Sequence, residues 1–164
     1  MATAGNNLSA FSAASLPSAA GMRIAIVVAE WNSDVTSKLR DGALRTLESC
    51  GCSTKDVFCI DVPGTFELSL GAQWLAETGG YDAVLCLGCV IQGETPHFNY
   101  ICEAVSQGIT NLNLKYNIPF IFGVLTTLSK EQALDRAGGK HGNKGDEAAA
   151  TAIKMVHLKR SLTR

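Results

Sequence analysis

The chain has 164 residues and a mass of 17.3 kDa, a size that predicts one domain with its own hydrophobic core. Fourteen basic and fifteen acidic residues give a formal net charge of −1, which argues against a broad basic surface for nucleic acid or an anionic membrane. Apolar residues make up 46% of the chain and charged residues 18%, so we expect contacts with other subunits to cover part of the surface.

The first 21 residues differ from the rest of the chain in composition. They are rich in Ala, Ser and Gly and contain no Lys or Arg. We therefore predict a tail over residues 1–21, followed by one domain over residues 22–164. The tail lacks the basic start of a secretory signal, and the longest apolar runs of the chain are too short to span a bilayer. A cytoplasmic location with reduced cysteines is the expectation.

From Arg23 onward, short apolar runs alternate with segments of helical periodicity. The first run, residues 24–29, is continuously apolar, as is typical of a strand buried on both faces. The predicted elements, in chain order, are a strand over 24–29, a helix from Asn32 or Ser33 to Gly51, a strand over 57–62, a helix over 66–77, a strand over 83–87, a helix over 97–116, a strand over 120–125 and two helices over 130–137 and 146–160. This alternation predicts a parallel sheet with helices on both faces.

The loops of such a fold are the place to look for function, because ligands bind outside the carboxyl ends of parallel strands. The relevant segments are residues 30–34, 63–67, 88–97, 126–129 and 138–145. Most of the chemically reactive side chains of the chain fall within them, so we expect a functional site at this edge of the sheet.

Three common types of site are not supported by the sequence. The first strand is followed by Glu30-Trp31-Asn32 and not by the glycine triplet of dinucleotide-binding proteins. Lys144 lies in a glycine-rich segment but is followed by Gly145, where a phosphate loop has Ser or Thr. Cys86 and Cys89 have the spacing of a zinc or redox pair, but strand residues three apart point to opposite faces. We expect core cysteines, no metal ion and no organic cofactor.

His97 is the first candidate for catalysis. It begins a predicted helix, and an imidazole can donate and accept protons near neutral pH. Glu94 and Thr95 precede it, and the free amide groups of a helix start favour an anion. Arg136 could complete an anion site by binding phosphate oxygens through its guanidinium, although a surface role on a helix is the simpler interpretation of this arginine alone.

Three further side chains are candidates for binding a ring-shaped ligand. Glu67 is either a carboxylate favoured by a helix dipole or an acceptor for ligand hydroxyls and ring amines. Trp31 and Phe122 lie near two strand ends and are either core residues or the two sides of a sandwich around a flat heterocycle. The residues themselves support an α/β protein that binds a phosphorylated and partly aromatic substrate pair, and they leave the reaction open.

Five segments, taken in order, resemble lumazine synthase. They are Ala29-Glu30-Trp31-Asn32, residues 62–67, 87–98, 122–127 and 136–145, and the resemblance extends from about Arg23 to Arg160. It implies a flavodoxin-like three-layer α/β/α sandwich with a four-stranded parallel sheet. The implied enzyme condenses 5-amino-6-ribitylaminouracil with 3,4-dihydroxy-2-butanone 4-phosphate, the penultimate step of riboflavin biosynthesis. The implied products are 6,7-dimethyl-8-ribityllumazine, phosphate and water, and the reaction uses neither a metal nor an organic cofactor.

The resemblance also implies a role for each matched residue. His97 would transfer protons, Trp31 would stack on the pyrimidine, and Phe122 would come from a neighbouring subunit. The residues that would hold the polar edge and ribityl chain of the pyrimidine are Thr65, Phe66, Glu67, Cys89, Val90 and Ile91. Those that would hold the butanone phosphate are Glu94, Thr95, Arg136 and Lys144.

The same resemblance implies that the protein binds copies of itself. We expect pentamers that assemble into a 60-subunit shell, because residues 138–145 lack the insertion that would block contacts between pentamers. Residues 7–11 of the tail would add a strand to the sheet edge of the adjacent subunit. Riboflavin synthase is a further implied partner.

Two alternatives remain beside the enzyme. A non-catalytic shell protein of the same fold has no need for His97, Arg136 and Glu67. A flavodoxin-like flavin carrier would have a dedicated loop for the flavin phosphate, and the sequence has no obvious one.

Overall fold

The computed structural model describes residues 15–163, so the predicted strand over residues 7–11 lies outside the described part. Strands and helices alternate along these residues. The elements are β1 (Ile24–Ala29), α1 (Ser33–Ser49), a 3-10 turn (Thr54–Asp56), β2 (Val57–Val62), α2 (Leu68–Thr78), β3 (Ala83–Ile91), α3 (His97–Tyr116), β4 (Phe120–Thr127), α4 (Lys130–Asp135), β5 (Ala137–Gly139), β6 (Gly142–Asn143) and α5 (Lys144–Leu162). Within residues 15–163, no helix combines the length and the apolarity needed to cross a membrane.

Strands β1 to β4 form one parallel sheet in the order β2-β1-β3-β4. Ile24 in β1 pairs with Val57 on one side and with Ala83 on the other. After β1, the chain forms β2 on one side of β1 and then crosses over to form β3 on the other side. The direction of the strand order therefore reverses between β1 and β3. A crevice at the carboxyl ends of these two strands is the usual ligand site of such sheets.

The helices cover both faces of the sheet and create two cores. One core lies beneath α1 and α5, and the other beneath α2 and α3. The side chains of β1 alternate between them, with Ile24, Ile26 and Val28 in the first core and Ala25, Val27 and Ala29 in the second. Every residue of β1 is buried, and full burial of one aliphatic side chain contributes about 1.5–3 kcal/mol. The predicted three-layer sandwich with a four-stranded parallel sheet is confirmed.

β2 lies at an edge of the sheet and pairs only with β1 among the described strands. Phe58, Cys59 and Asp61 are exposed on it, and the ring of Phe58 is 50% accessible. The outer side of such an edge carries backbone N–H and C=O groups that a further strand can pair with.

Some element boundaries differ from the prediction. β3 continues beyond residue 87 and β4 beyond residue 125, because the two strands stay paired as far as Ile91 and Thr127. α2 begins at Leu68 instead of residue 66. Where the sequence indicated only a glycine-rich turn, the structure has the short antiparallel pair β5 and β6. α5 begins at Lys144, two residues early, because the Asn143 side chain caps it by accepting from Gly145 N–H at 2.8 Å.

The helices α1 and α5 cross at two glycines. A Cβ atom on Gly145 would lie 1.8 Å from the Leu39 carbonyl oxygen, and one on Gly42 would lie 2.6 Å from Asp146 Oδ1. The Asn143 side chain also donates to the Lys38 carbonyl oxygen at 2.8 Å. This crossing fixes the first turn of α5 against α1, and that turn carries Lys144.

Candidate active site

A cavity with a volume of about 680 Å³ opens where the strand order reverses. It lies between the β1–α1 loop, the β2–α2 loop, the end of β3 and the start of α3. Its lining consists of Trp31, Asn32, Gly64, Thr65, Phe66, Glu67, Cys89, Val90, Ile91, His97, Tyr100 and Ile101. We call it the aromatic cavity. The structure thus brings the predicted histidine together with every predicted pyrimidine contact except Phe122.

Hydrogen bonds to one backbone carbonyl hold two of these loops against β3. The Cys89 carbonyl oxygen accepts from Asn32 Nδ2 at 3.0 Å and from Thr65 Oγ1 at 3.4 Å. The start of α2 can come this close only because residue 88 is glycine, since a Cβ there would lie 2.8 Å from Thr65 Oγ1. The glycine in β3 is therefore a packing requirement of the cavity.

Trp31 offers an open ring surface to this cavity. Its side chain is 73% exposed, while its backbone N–H donates to the Pro63 carbonyl oxygen at 3.2 Å. Asn32, the next residue, has a φ of +63°, a left-handed conformation that asparagine tolerates better than most residues. The rings of Phe66 and Tyr100 are also exposed. A fixed backbone with open aromatic rings suits a flat ligand that stacks.

The sequence analysis missed Asn32, Tyr100 and Ile101 as cavity residues. The signal for the last two was present, because residues three and four after His97 lie on the same face of a helix.

His97 is exposed at the first position of α3, a helix of 20 residues. Pro96 occupies the N-cap position, and no side chain makes a capping hydrogen bond. The Asn99 N–H donates to the Pro96 carbonyl oxygen at 3.0 Å, which leaves the amide groups of His97 and Phe98 for a ligand. Glu94 and Thr95 are exposed in the preceding loop and do not line the aromatic cavity. The structure places both residues near the helix start but outside the ring pocket.

Arg136 and Lys144 lie in a second cavity of about 500 Å³, which we call the cationic cavity. It lies between the end of β4, α4, the β5–β6 turn and the start of α5. Its lining consists of Val124, Leu125, Thr126, Thr127, Gln132, Asp135, Arg136, Lys140, His141 and Lys144. Phe122 lines neither cavity, since it packs, half-buried, against the core beneath α2 and α3. Within one chain, the predicted phosphate ligands Arg136 and Lys144 therefore line a different cavity from His97.

One carboxylate links the two cations of this second cavity. Glu147 Oε1 lies 2.6 Å from Arg136 Nη2, and its Oε2 lies 3.2 Å from Lys144 Nζ. Arg136 Nη1 also donates to the His141 carbonyl oxygen. At the rim, Lys140 pairs with Asp135 at 2.9 Å. The sequence analysis missed Glu147, although its position three residues after Lys144 on a helix was a usable signal.

The cysteines of β3 behave as core residues. Cys86 belongs to the core beneath α2 and α3, whereas Cys89 belongs to the core beneath α1 and α5, so the predicted opposite orientation is confirmed. Burial raises the pKa of Cys86 to about 12 and that of Cys89 to about 11, which keeps both thiols protonated at neutral pH. Among residues 15–163, no three His, Cys, Asp or Glu side chains are grouped as metal ligands.

These features define an α/β protein that carries an aromatic cavity beside a histidine and a separate cationic cavity. A family model described as 6,7-dimethyl-8-ribityllumazine synthase matches residues 21–160. Proteins of that name are similar to the chain over almost their whole length. The one from Parabacteroides distasonis is 59% identical over 158 residues, which is 96% of this chain and 99% of the relative.

Two other relatives of the same name give the same result. The protein from Cytophaga hutchinsonii is 60% identical over 95% of this chain and 98% of its own length. The one from Porphyromonas gingivalis is 53% identical over 98% of this chain and 99% of its own length. The chain belongs to the 6,7-dimethyl-8-ribityllumazine synthase family, an enzyme family of riboflavin biosynthesis, and the resemblance found in the five sequence segments is confirmed.

Proposed function

We propose that the chain condenses 5-amino-6-ribitylaminouracil with 3,4-dihydroxy-2-butanone 4-phosphate, giving 6,7-dimethyl-8-ribityllumazine, phosphate and water. The observation that carries this proposal is the aromatic cavity, which joins an exposed indole, a carboxylate and an imidazole at the carboxyl edge of the sheet. Membership of the family supports the identity of the two substrates.

The pyrimidine binds in the aromatic cavity. Trp31 stacks on its ring, and Glu67, the N-cap residue of α2, accepts from its amines and hydroxyls. β3 pairs with β1 only as far as Leu87, so one side of Cys89, Val90 and Ile91 has no neighbouring strand. Apart from the Cys89 carbonyl, which accepts from Asn32 and Thr65, backbone groups on that side can bind the polar edge of a ring, as they would bind another strand. Thr65 and Phe66 complete the wall.

His97 transfers the protons of the reaction. The amine attacks the ketone, phosphate is eliminated, the resulting enol rearranges and the second amine closes the ring. Each step adds or removes a proton, and one imidazole beside the bound pyrimidine can serve several of them. Holding two substrates in register provides much of the remaining acceleration.

The butanone phosphate needs cations that the aromatic cavity lacks. Its lining contains no Lys or Arg, whereas Arg136 and Lys144 lie in the cationic cavity of the same chain. We therefore place the active site between two subunits. One subunit contributes the aromatic cavity with Glu94 and Thr95 beside it, and its neighbour contributes Phe122, Arg136 and Lys144.

The assembly that provides this shared site is a pentamer, and we propose that pentamers form a 60-subunit shell. The open edge of β2 supports an added strand from residues 7–11 of a neighbour. The compact β5–β6 pair leaves room between pentamers. The association with riboflavin synthase rests on the family resemblance alone, and the cytoplasmic location rests on the composition of the chain. Light scattering at neutral pH tests the assembly. A measured mass of five chains, both with and without added phosphate, would contradict the shell.

The test of the activity is the appearance of lumazine fluorescence when both substrates are mixed with the protein. We expect product only when both substrates are present, at a rate well above that of a mixture without protein. A rate equal to that of the protein-free mixture would contradict the proposal. The absorbance of the purified protein tests the flavin carrier separately, because a carrier would retain stoichiometric yellow flavin.

A further inference from the structure

We propose that Glu147 is a positioning residue for the butanone phosphate, and that it acts by holding Arg136 and Lys144 with their free donors toward the cationic cavity. The inference rests on the proposed function, because it takes these two cations as the phosphate ligands. It assigns a role to a side chain that is itself not in the cavity lining.

The contacts of Glu147 are those of a bridge. Its two carboxylate oxygens are each used by a different cation, with Arg136 Nη2 at 2.6 Å and Lys144 Nζ at 3.2 Å. A second contact, from Arg136 Nη1 to the His141 carbonyl oxygen, fixes the plane of the guanidinium. The arginine and the lysine are thereby held on one carboxylate.

The burial of the three side chains shows on which side the cavity lies. The Glu147 side chain is 12% exposed, whereas Arg136 is 18% and Lys144 24% exposed. Arg136 and Lys144 line the cationic cavity and Glu147 does not, so the carboxylate lies behind the cations. A phosphate that enters the cavity therefore meets the cations first. The donors left for it are Nε and the second hydrogens of Nη1 and Nη2 of the arginine, and the other two hydrogens of the lysine ammonium.

The charge balance favours positioning over competition. Two positive groups and one negative group leave the cluster with a net charge of +1. The cluster can therefore neutralise one of the two negative charges of a phosphate dianion. A carboxylate that competed with phosphate would have to lie between the cations and the cavity. Glu147 occupies the opposite side, where removing it would free both long side chains to adopt other rotamers.

A stabilising interaction with the helix dipole is the simpler explanation for an acid in the first turn of α5, and it has a matched control. Asp146 is the adjacent acid of the same turn, and its carboxylate accepts from Thr46 Oγ1 at 3.3 Å without pairing with either cation. Asp146→Asn removes the same charge from the same helix turn. If the acid acts only on the helix dipole, both variants change in stability. If Glu147 positions the cations, phosphate binding changes in the Glu147 variant and not in Asp146→Asn.

The experiment compares Glu147→Gln with Asp146→Asn in the assembled protein. We expect Glu147→Gln to raise the KM for the butanone phosphate and the Kd for inorganic phosphate about tenfold, the lower end of what losing a charge-assisted contact causes. The KM for the pyrimidine and kcat at saturation should stay within about twofold of the wild type. Asp146→Asn should leave the phosphate Kd within about twofold.

A double-mutant comparison tests whether Glu147 acts through the arginine. In an Arg136→Ala background, Glu147→Gln should change the phosphate Kd by less than about threefold, because the arginine is gone and only the ion pair with Lys144 remains to be lost. Tighter phosphate binding by Glu147→Gln, or an equal tenfold loss in both backgrounds, would overturn the inference. If Glu147→Gln does not assemble, Glu147→Asp replaces it, since it keeps the charge but is too short to reach both cations. Weaker phosphate binding by Glu147→Asp supports positioning, and unchanged binding contradicts it.

The two proposals can fail separately. If Arg136→Ala alone leaves the phosphate Kd unchanged, the cations are not the phosphate ligands and that part of the proposed function is wrong. If Arg136→Ala weakens phosphate binding and Glu147→Gln does not, only the role of Glu147 is wrong.

Discussion

Replacing Gly145 by alanine tests whether the crossing of α1 and α5 fixes the cationic cavity. The new Cβ would lie 1.8 Å from the Leu39 carbonyl oxygen, and ordinary contact begins at 3.4 Å, so the helices must separate by the difference of 1.6 Å. The opposing atoms are backbone, which cannot move aside by changing a rotamer. Overpacking of this kind costs about 1–3 kcal/mol and occasionally more.

Two smaller effects accompany the steric clash. Separation of the helices breaks the hydrogen bond from the Asn143 side chain to the Lys38 carbonyl oxygen, a loss of about 1 kcal/mol. The higher helix propensity of alanine returns about 1 kcal/mol. The two nearly cancel, so we expect Gly145→Ala to lower the free energy of unfolding by about 3 kcal/mol.

The assay is unfolding by denaturant, with Gly93→Ala as the control. A Cβ on Gly93 meets nothing within 4 Å, so this variant should unfold within about 0.5 kcal/mol of the wild type. Folded Gly145→Ala should also bind inorganic phosphate more weakly, because the shift moves Lys144 and Glu147 with the helix. A Gly145→Ala protein as stable as the control would refute the reasoning from close approach.

Three further substitutions test the site. His97→Ala should lower kcat by about 100-fold or less, because acid–base catalysis contributes 10²–10⁴-fold and water can partly replace the imidazole. An unchanged kcat at saturating substrate would show that His97 does not transfer protons. Arg136→Ala should raise the KM for the butanone phosphate about tenfold or more and leave that for the pyrimidine nearly unchanged, and equal losses would indicate a structural role. Asn32→Ala should lower the free energy of unfolding by about 2 kcal/mol, because it loses the hydrogen bond to Cys89 and places alanine at φ +63°. Asn32→Gly should lose only about half of that, and identical losses in the two variants would contradict the argument from the left-handed backbone.

The sequence predicted the sheet well because its strands are chemically distinct. β1, β2 and α3 have the predicted boundaries, since each is a run bounded by a clear change in polarity or by Pro and Gly. The end of β4 was missed because Thr126 and Thr127 are polar, and the end of β3 because Gly88 interrupts its apolar run, whereas backbone pairing carries the two strands on to Ile91 and Thr127.

The candidate site was predictable residue by residue but not in its arrangement. Strand order places the loops after β1 and β3 together, which brought Trp31 and His97 into one cavity as expected. Arg136 lies after β4 and packs toward α5, in the cationic cavity. The sequence places the loops of both cavities at the carboxyl edge of the sheet and does not show that they form two separate cavities. For Glu147, the sequence spacing indicates an ion pair with Lys144 only, because its second partner, Arg136, comes beside it on folding.

The separation of the aromatic and cationic cavities has a consequence for symmetry. If the aromatic cavity of one subunit meets the cationic cavity of the next, each contact joins two different surfaces. A contact of this head-to-tail kind cannot close as a two-fold dimer, and it generates either a ring or an open filament. In a ring, the number of complete sites equals the number of subunits. Two inactive chains, one altered at Trp31 and the other at Arg136, would then restore each other on mixing, with about one contact in four joining two intact surfaces.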